Sequence, residues 1–548
     1  MYTKQKKEVS EMKLNENALN DVVTWENAGF KLPKYNREQV KENTMANPNW
    51  IHFGAGNIFR AFTANVQQNI LNKGKSDKGI IVAEGFDYEI IESMYKPHDN
   101  LSLLVTLKAD GNIEKTVVAS IVESLIVDAE NKANWTRLKE IFINPSLQMV
   151  SFTITEKGYS LNNPKGEYLP TVIEDFKNGP EVPVSYIGKL ASLVYERYVE
   201  GKTPLALVSM DNCSHNGTKL FNAVSAFAKK WVENGVAEKG FETYINDPDF
   251  VSFPWSMIDK ITPRPDESVK KMLVNDGFED TDYVVTSKNT YVAPFVNSEE
   301  PQYLIIEDRF PNGRPNLEES GVIFTDRETV DKVEKMKVCT CLNPIHTALA
   351  IFGCLLGYNL IYKEMEDHEL KALVEEIGYV EGLPVVVDPK IIDPKKFIDE
   401  VLQVRVPNPF MPDTPQRIAT DTSQKLGIRF GETIKAYIER EDLNVTDLKL
   451  IPLVLAGWCR YLMGMDDSGN EMKLSSDPML EEVKPYVDGI DLGDKGSFNT
   501  QLKPILSNAN IFGVNLYEIG LGETVENYFA ELVLGTGAVR ETLKKYVN

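Results

Sequence analysis

Hydrophobic and polar positions follow two different periods along this chain. Between about residues 49 and 160, short apolar runs alternate with helical spacing. Ile51–Phe53, Gly79–Ala83, Leu101–Leu107, Thr116–Leu125 and Gln148–Thr155 read as strands bounded by turn residues. One more strand, Pro204–Met210, lies within long helical patterns over residues 184–236, and residues 250–325 are mixed and rich in proline. Beyond about 330 the spacing is helical, in Ile345–Ile361, Asp367–Gly378, Pro394–Val404, Thr420–Glu439, Leu448–Met463 and Thr524–Val547. This change predicts an α/β domain with insertions over residues 49–329 and a mainly helical domain over 330–548. Residues 1–48 read as a polar leader segment with a few amphipathic turns.

At 548 residues and 42% hydrophobic content, the chain can bury a large core. A net charge of −22 argues against nucleic acid and anionic membrane surfaces as partners. Five cysteines without a Cys-x-x-Cys pair read as reduced thiols, which places the protein in the cytoplasm. The segment Met1–Glu8 is charged and has no signal-peptide core, and no run of about 18 apolar residues is evident. Five histidines without zinc-ligand spacing lead to no metal in the expected site.

The first strand runs into Gly54-Ala55-Gly56-Asn57-Ile58-Phe59-Arg60, followed by a helical pattern through Ala64, Val66 and Ile70. Glycines let a backbone approach a pyrophosphate, and the next helix N-terminus offers free N–H groups. The third glycine of the usual fingerprint is absent, because Phe59 stands in its place. A ligand-free tight turn has the same appearance. The second strand ends at Glu84 and Asp87, either of which can bind ribose hydroxyls and repel a ribose phosphate, favouring NAD over NADP. The expected fold class is therefore α/β: a Rossmann-like N-terminal NAD-binding domain followed by a mainly α-helical C-terminal domain.

The chemistry concentrates in Glu334-Lys335-Met336-Lys337-Val338-Cys339-Thr340-Cys341-Leu342-Asn343-Pro344-Ile345-His346, beside the apolar run Ala348–Phe352. A lysine against apolar surface suits proton transfer, an amide can polarise a carbonyl, and an imidazole can orient a hydroxyl. Three loops can complete such a site. Asp211-Asn212 with Asn216-Gly217 follows the strand 204–210, although a helix-capping turn explains it equally well. Asp259 lies in an apolar, proline-bounded segment, where a structural ion pair is the plainer reading. Arg417 and Lys425 follow a proline-rich loop and can meet a carboxylate, a solvated helix face being the default for Lys425.

Together these segments resemble the long-chain mannitol dehydrogenase family of metal-independent polyol and hexuronate dehydrogenases. The resemblance runs from about residue 49 to 465. Its most specific motif is Ile258-Asp259-Lys260-Ile261-Thr262-Pro263, near the family signature Val-Asp-Arg-Ile-Thr-Pro. It also includes the Gly54–Arg60 turn, Thr153-Ile154-Thr155-Glu156-Lys157-Gly158-Tyr159, the Asp211–Gly217 loop and Leu455-Ala456-Gly457-Trp458-Cys459-Arg460-Tyr461.

The resemblance implies a catalytic set: Lys337 as general acid/base, Asn212 and Asn343 as the polar pair at the reacting oxygen, His346 orienting substrate, and Glu334 exchanging protons with solvent. It implies cofactor contacts at Gly54, Gly56, Asn57, Phe59, Arg60, Glu84, Asp87, Thr155, Glu156 and Lys157. Substrate contacts fall on Asp259, Arg417 and Lys425, and the cofactor is NAD. The implied reaction interconverts a secondary alcohol and a ketone on an open-chain sugar acid, D-mannonate and D-fructuronate first, with tagaturonate or mannitol as alternatives. A dinucleotide-binding sensor without turnover is the rival from another class, and oligomeric state stays open.

One interval departs from the family pattern: Lys337 to Asn343 is one residue longer than usual. In an unbroken α-helix, Lys337 and His346 stand nine residues, about 900°, apart and face opposite ways. A helix starting with Asn343 as N-cap and Pro344 as N1 puts Lys337 in a separate element that can absorb the extra residue. An unbroken helix makes Lys335 the competing candidate.

Overall fold

In the computed structural model, residues 12–547 are described except for 412 and 495. The chain divides into two compact units, Met1–Asp331 and Lys332–Asn548.

The first unit is built on a six-stranded sheet in which every neighbouring pair is parallel. Its strands in chain order are Trp50–Phe53, Ile80–Glu84, Ile121–Ile126, Met149–Phe152, Leu205–Ser209 and Val251–Ser252. Their spatial order is third, second, first, fourth, fifth, sixth, the doubly wound arrangement of dinucleotide-binding folds. Strands buried on both faces are near-continuous apolar runs; Trp50–Phe53, Ile80–Glu84 and Leu205–Ser209 are buried at every position, with only His52, Glu84 and Ser209 polar. One face packs against Trp135, Leu138, Leu190, Phe227 and Trp231, and the other against Phe59, Phe62, Val66 and Ile70.

The run Thr116–Leu125, expected as one strand, is two. Ile113–Val118 pairs antiparallel with Ser102–Leu107, and Ile121–Ile126 joins the parallel sheet. Between them the Ser120 carbonyl accepts the Ile80 N–H, and Ser120 Oγ donates to the Ala64 carbonyl, so the chain changes sheets without glycine or proline. The first eleven residues of the expected leader lie outside the described residues. The rest packs into this unit: Phe30–Lys31 pairs parallel with Ile113–Val118, and Trp25 is buried against Phe30 and Phe278.

Every named element among the second unit's described residues is a helix or helical turn, with Asn343–Leu355 and Leu450–Leu462 buried almost around their circumference. Several expected helices are divided. Thr524–Val547 splits into Gly522–Leu532 and Ala538–Tyr546 at Gly535 and Gly537, both at positive φ. Thr420–Glu439 splits into a short 3₁₀ turn, a π turn at Gly427–Gly431 and the helix Glu432–Glu439. The helical run Arg327–Leu355 is long and apolar enough to cross a membrane, contrary to expectation. However, 78% of its most apolar window is buried within the protein, the mark of a core helix.

Candidate functional site

In the first unit the strand Trp50–Phe53 delivers the chain into the glycine turn. Gly54 has φ +108°, and a Cβ there would lie 2.2 Å from the Thr153 carbonyl oxygen, so only glycine fits. A Cβ at Gly56 would meet no atom within 4 Å. The turn therefore leaves open space beside a bare backbone, as close approach of a phosphate requires. Asn57 is half-buried and accepts from Arg60 Nη2 at 2.8 Å.

Two of the expected cofactor residues have buried side chains. Phe59 is fully buried and stacks on His52, with ring centroids 4.3 Å apart. Arg60 is buried, donating to the Ala293 carbonyl at 2.6 Å as well as to Asn57. Both side chains hold the π turn Phe59–Thr63 into the core. Burial lowers the pKa of Arg60 and of its neighbour His52, the latter to about 3.

The second-strand acids are also engaged. Glu84 Oε2 accepts the Ala55 N–H at 2.8 Å, while Oε1 accepts those of Phe86 and Asp87. Burial raises its pKa against those three bonds. Glu84 therefore braces the glycine turn, with one acceptor site left on Oε2. Asp87 is buried and accepts from Thr286 Oγ1 at 2.6 Å, leaving Oδ1 without a partner among the described residues. The exposed aromatic face at this strand end belongs to Phe86, 65% exposed, which the sequence did not single out.

Asp211 connects the next two loops. Its carboxylate accepts the Ile154 and Thr155 N–H groups at 3.0 and 2.9 Å and the Tyr159 hydroxyl at 2.5 Å. This holds Thr155 at φ +63°, a strained conformation for a β-branched residue. Thr155, Glu156 and Lys157 are left exposed at the C-terminal end of the fourth strand, with Glu156 paired to Lys219 at 2.6 Å. Asn212 is exposed at the end of the fifth strand. Asn216 serves structure: its amide bonds the Asp211 carbonyl and both the backbone and hydroxyl of Ser256. Gly217 is required because a Cβ would fall 2.6 Å from the Phe253 carbonyl oxygen. Asp259 is buried at the end of Ser256–Asp259, paired in register with Tyr303.

In the second unit the lysine segment resolves the long interval. Met336–Cys341 is a π turn, and the Leu342 N–H bonds the Lys337 carbonyl five residues back, at 3.1 Å. A π turn accommodates one extra residue within a helix. The next helix, Asn343–Leu355, has Leu342 at its N-cap position with no side-chain cap bond, and Asn343, expected as the cap, is its first residue. The Asn343 side chain is consequently not consumed as a cap. Lys337 is 2% exposed whereas Lys335 is exposed, so the π turn selects Lys337 as the lysine held in a defined environment. Glu334 and His346 are half-buried. Burial lowers the His346 pKa to about 4; Asp413 opposes this, while Arg405, Arg429 and Arg417 reinforce it. His346 is therefore neutral near pH 7.

Arg417 forks onto Asp413, with both N–H···O distances 2.6 Å, so its charge is already matched within the chain. Lys425 Nζ donates to the Thr420 carbonyl at 2.5 Å. Arg429, not singled out from the sequence, donates from Nη1 to Thr347 Oγ1 at 2.5 Å. Its only sequence signal was four-residue spacing from Lys425. Among the described residues no cluster of three or more His, Cys, Asp or Glu is placed to hold a metal.

Residues 48–319 match the family described as the mannitol dehydrogenase Rossmann domain, and residues 329–531 match the mannitol dehydrogenase C-terminal domain. The D-mannonate oxidoreductase of Thermotoga maritima is 55% identical over 539 residues, which span 98% of this chain and 99% of that one. Mannitol 2-dehydrogenase of Pseudomonas fluorescens, solved as a ternary complex with NAD and D-mannitol, has a TM-score of 0.70 at 26% identity, covering 97% of this chain and 99% of its own. A substrate-free D-sorbitol dehydrogenase shares the fold, with a TM-score of 0.78 at 24% identity over 95% and 98% of the two chains.

Proposed function

This chain belongs to the mannitol dehydrogenase family, and on that premise we propose that it is a metal-independent, NAD-dependent oxidoreductase interconverting D-mannonate and D-fructuronate. The observation that carries the substrate is the 55% identity, across nearly the whole of both chains, to a D-mannonate oxidoreductase. Tagaturonate and the mannitol–fructose pair are the alternatives. A cytoplasmic location and a small sugar acid as partner go with this reading.

The glycine turn fits a dinucleotide, because Gly56 leaves the backbone bare where a phosphate must approach and Glu84 keeps the turn rigid. Gly54, Gly56 and Asn57 would hold the pyrophosphate portion, with Thr155, Glu156 and Lys157 beside the nicotinamide portion. Bound NAD supplies the hydride acceptor in oxidation and, reduced, the donor. Lys337 takes the hydroxyl proton in the oxidative direction and returns it to the oxygen in reduction. Asn343 steadies charge developing on that oxygen. Neutral His346 orients the hydroxyl as a hydrogen-bond partner. Glu334, three residues before Lys337, passes the proton to solvent. Lys425 completes the substrate contacts of this unit.

The test is NADH oxidation by the purified, EDTA-treated protein with fructuronate, tagaturonate and fructose in parallel. Turnover with fructuronate well above the others is expected. Turnover with fructose alone would move the protein to the polyol branch. Silence with all three, in protein that binds NADH, would favour a sensor.

A further inference from the structure

Around His346 the helical unit gathers Arg405, Arg417 and Arg429 with Asp413. Arg417 is matched by Asp413. Lys425 and Arg429, four residues apart, are not: among the described residues neither makes an ion pair, and each uses a neutral oxygen acceptor. Like charges at this spacing repel each other. Burial lowers the pKa of both groups, Arg429 to about 10; Arg429 and Arg417 lower Lys425 further, against the opposing charges of Asp421 and Asp477, while burial alone acts on Arg429. A partly desolvated guanidinium without a counter-ion is costly unless an anion arrives from outside.

The position of Arg429 says which anion. Its partner Thr347 Oγ1 also donates to the Asn343 carbonyl at 2.9 Å, so Arg429 is tied to the turn that presents both Asn343 and His346. We propose that Arg429, with Lys425 beside it, receives the carboxylate of the sugar-acid substrate and so selects acids over neutral polyols. This inference rests on the hexuronate reading above and adds to it the residue that reads the acid. Arg429 is half-buried, leaving part of its fork accessible. A guanidinium can grip a carboxylate with two parallel bonds, and a neutral polyol end cannot replace that charge.

The experiment compares wild type, Arg429→Gln and Arg429→Lys with fructuronate and fructose, after circular dichroism and NADH titration show that each variant is folded. Arg429→Gln should raise the fructuronate KM by about 100-fold, change kcat by less than about 5-fold, and reduce the fructuronate-over-fructose preference accordingly. Arg429→Lys, which keeps the charge and loses the fork, should raise KM by about 10-fold. If Arg429→Gln does not fold, the lysine variant carries the test. A folded variant whose fructuronate KM stays within about 3-fold of wild type would overturn the assignment while leaving the substrate reading intact. Wild-type turnover of fructose but of no hexuronate would instead overturn the substrate reading, and the assignment with it.

Discussion

Replacing Glu364 with glutamine should make the protein more stable at neutral pH, by an amount that depends on pH. Glu364 ends the short helix Ile361–Glu364, is completely buried, and has no hydrogen-bond partner for either carboxylate oxygen among the described residues. It lies directly over Gly353, where a Cβ would be 2.0 Å from Oε1. Burial, then the nearby charges of Asp367 and Asp413, push its pKa up to about 9. The folded protein therefore holds a proton that the unfolded chain releases above pH 4.5. Stability is full below pH 4.5 and is lost as pH rises towards 9. Each pH unit in that window costs about 1.4 kcal/mol, so the cost at pH 7 is on the order of 3 kcal/mol. Glutamine has nearly the same shape and no proton to lose. Urea denaturation of both proteins between pH 5 and 8 should show the variant gaining about 1.4 kcal/mol on wild type per pH unit. A difference that stays constant across this range would refute the argument, showing that Glu364 is ionised or solvated in the folded protein.

Three further outcomes follow from the site. Lys337→Ala should lower turnover by at least about 10²–10⁴-fold with NADH affinity nearly unchanged, measured by steady-state kinetics and fluorescence titration; unchanged turnover would remove Lys337 from the proton transfer. Gly54→Ala combines a Cβ overlap at 2.2 Å with a positive φ and should weaken NADH binding by about 10-fold or more, read in the same titration. His346, with a folded pKa of about 4 against 6.5 unfolded, should make stability fall as pH drops from 6.5 towards 4, because the unfolded chain binds the proton first; His346→Asn should flatten that part of a stability–pH profile.

The parts of this fold visible in the sequence are those where local pattern and burial agree. Leu205–Ser209 is apolar at nearly every position because both of its faces are covered, and the run is legible for that reason. Motif spacing was a poorer guide to which side chains face a ligand. Phe59 and Arg60 stand in a phosphate-turn motif, yet a π turn directs both into the core, where His52 and the Ala293 carbonyl receive them. Arg429 was missed for a related reason: on an amphipathic pattern it looks solvated, and only its bond to Thr347 connects it with Asn343.

The long Lys337–Asn343 interval shows how a local departure from pattern can be read. Nine α-helical steps of 100° put Lys337 and His346 on opposite faces; a π turn absorbs one step and leaves about 800°, or 80° net. On this count the insertion offsets the step by which a uniform helix would turn the lysine from the histidine. Its signature is the Leu342-to-Lys337 bond across five residues. Deleting Val338, a half-buried residue within the turn, would leave one four-residue bond there and the same 80°. Such a variant should keep turnover within about 10-fold of wild type, because the reacting groups hold their positions to within the tolerance that catalysis demands. If the folded deletion is as inactive as Lys337→Ala, the phase argument fails, and the extra residue would have to be accommodated elsewhere in the run from Glu334 to His346.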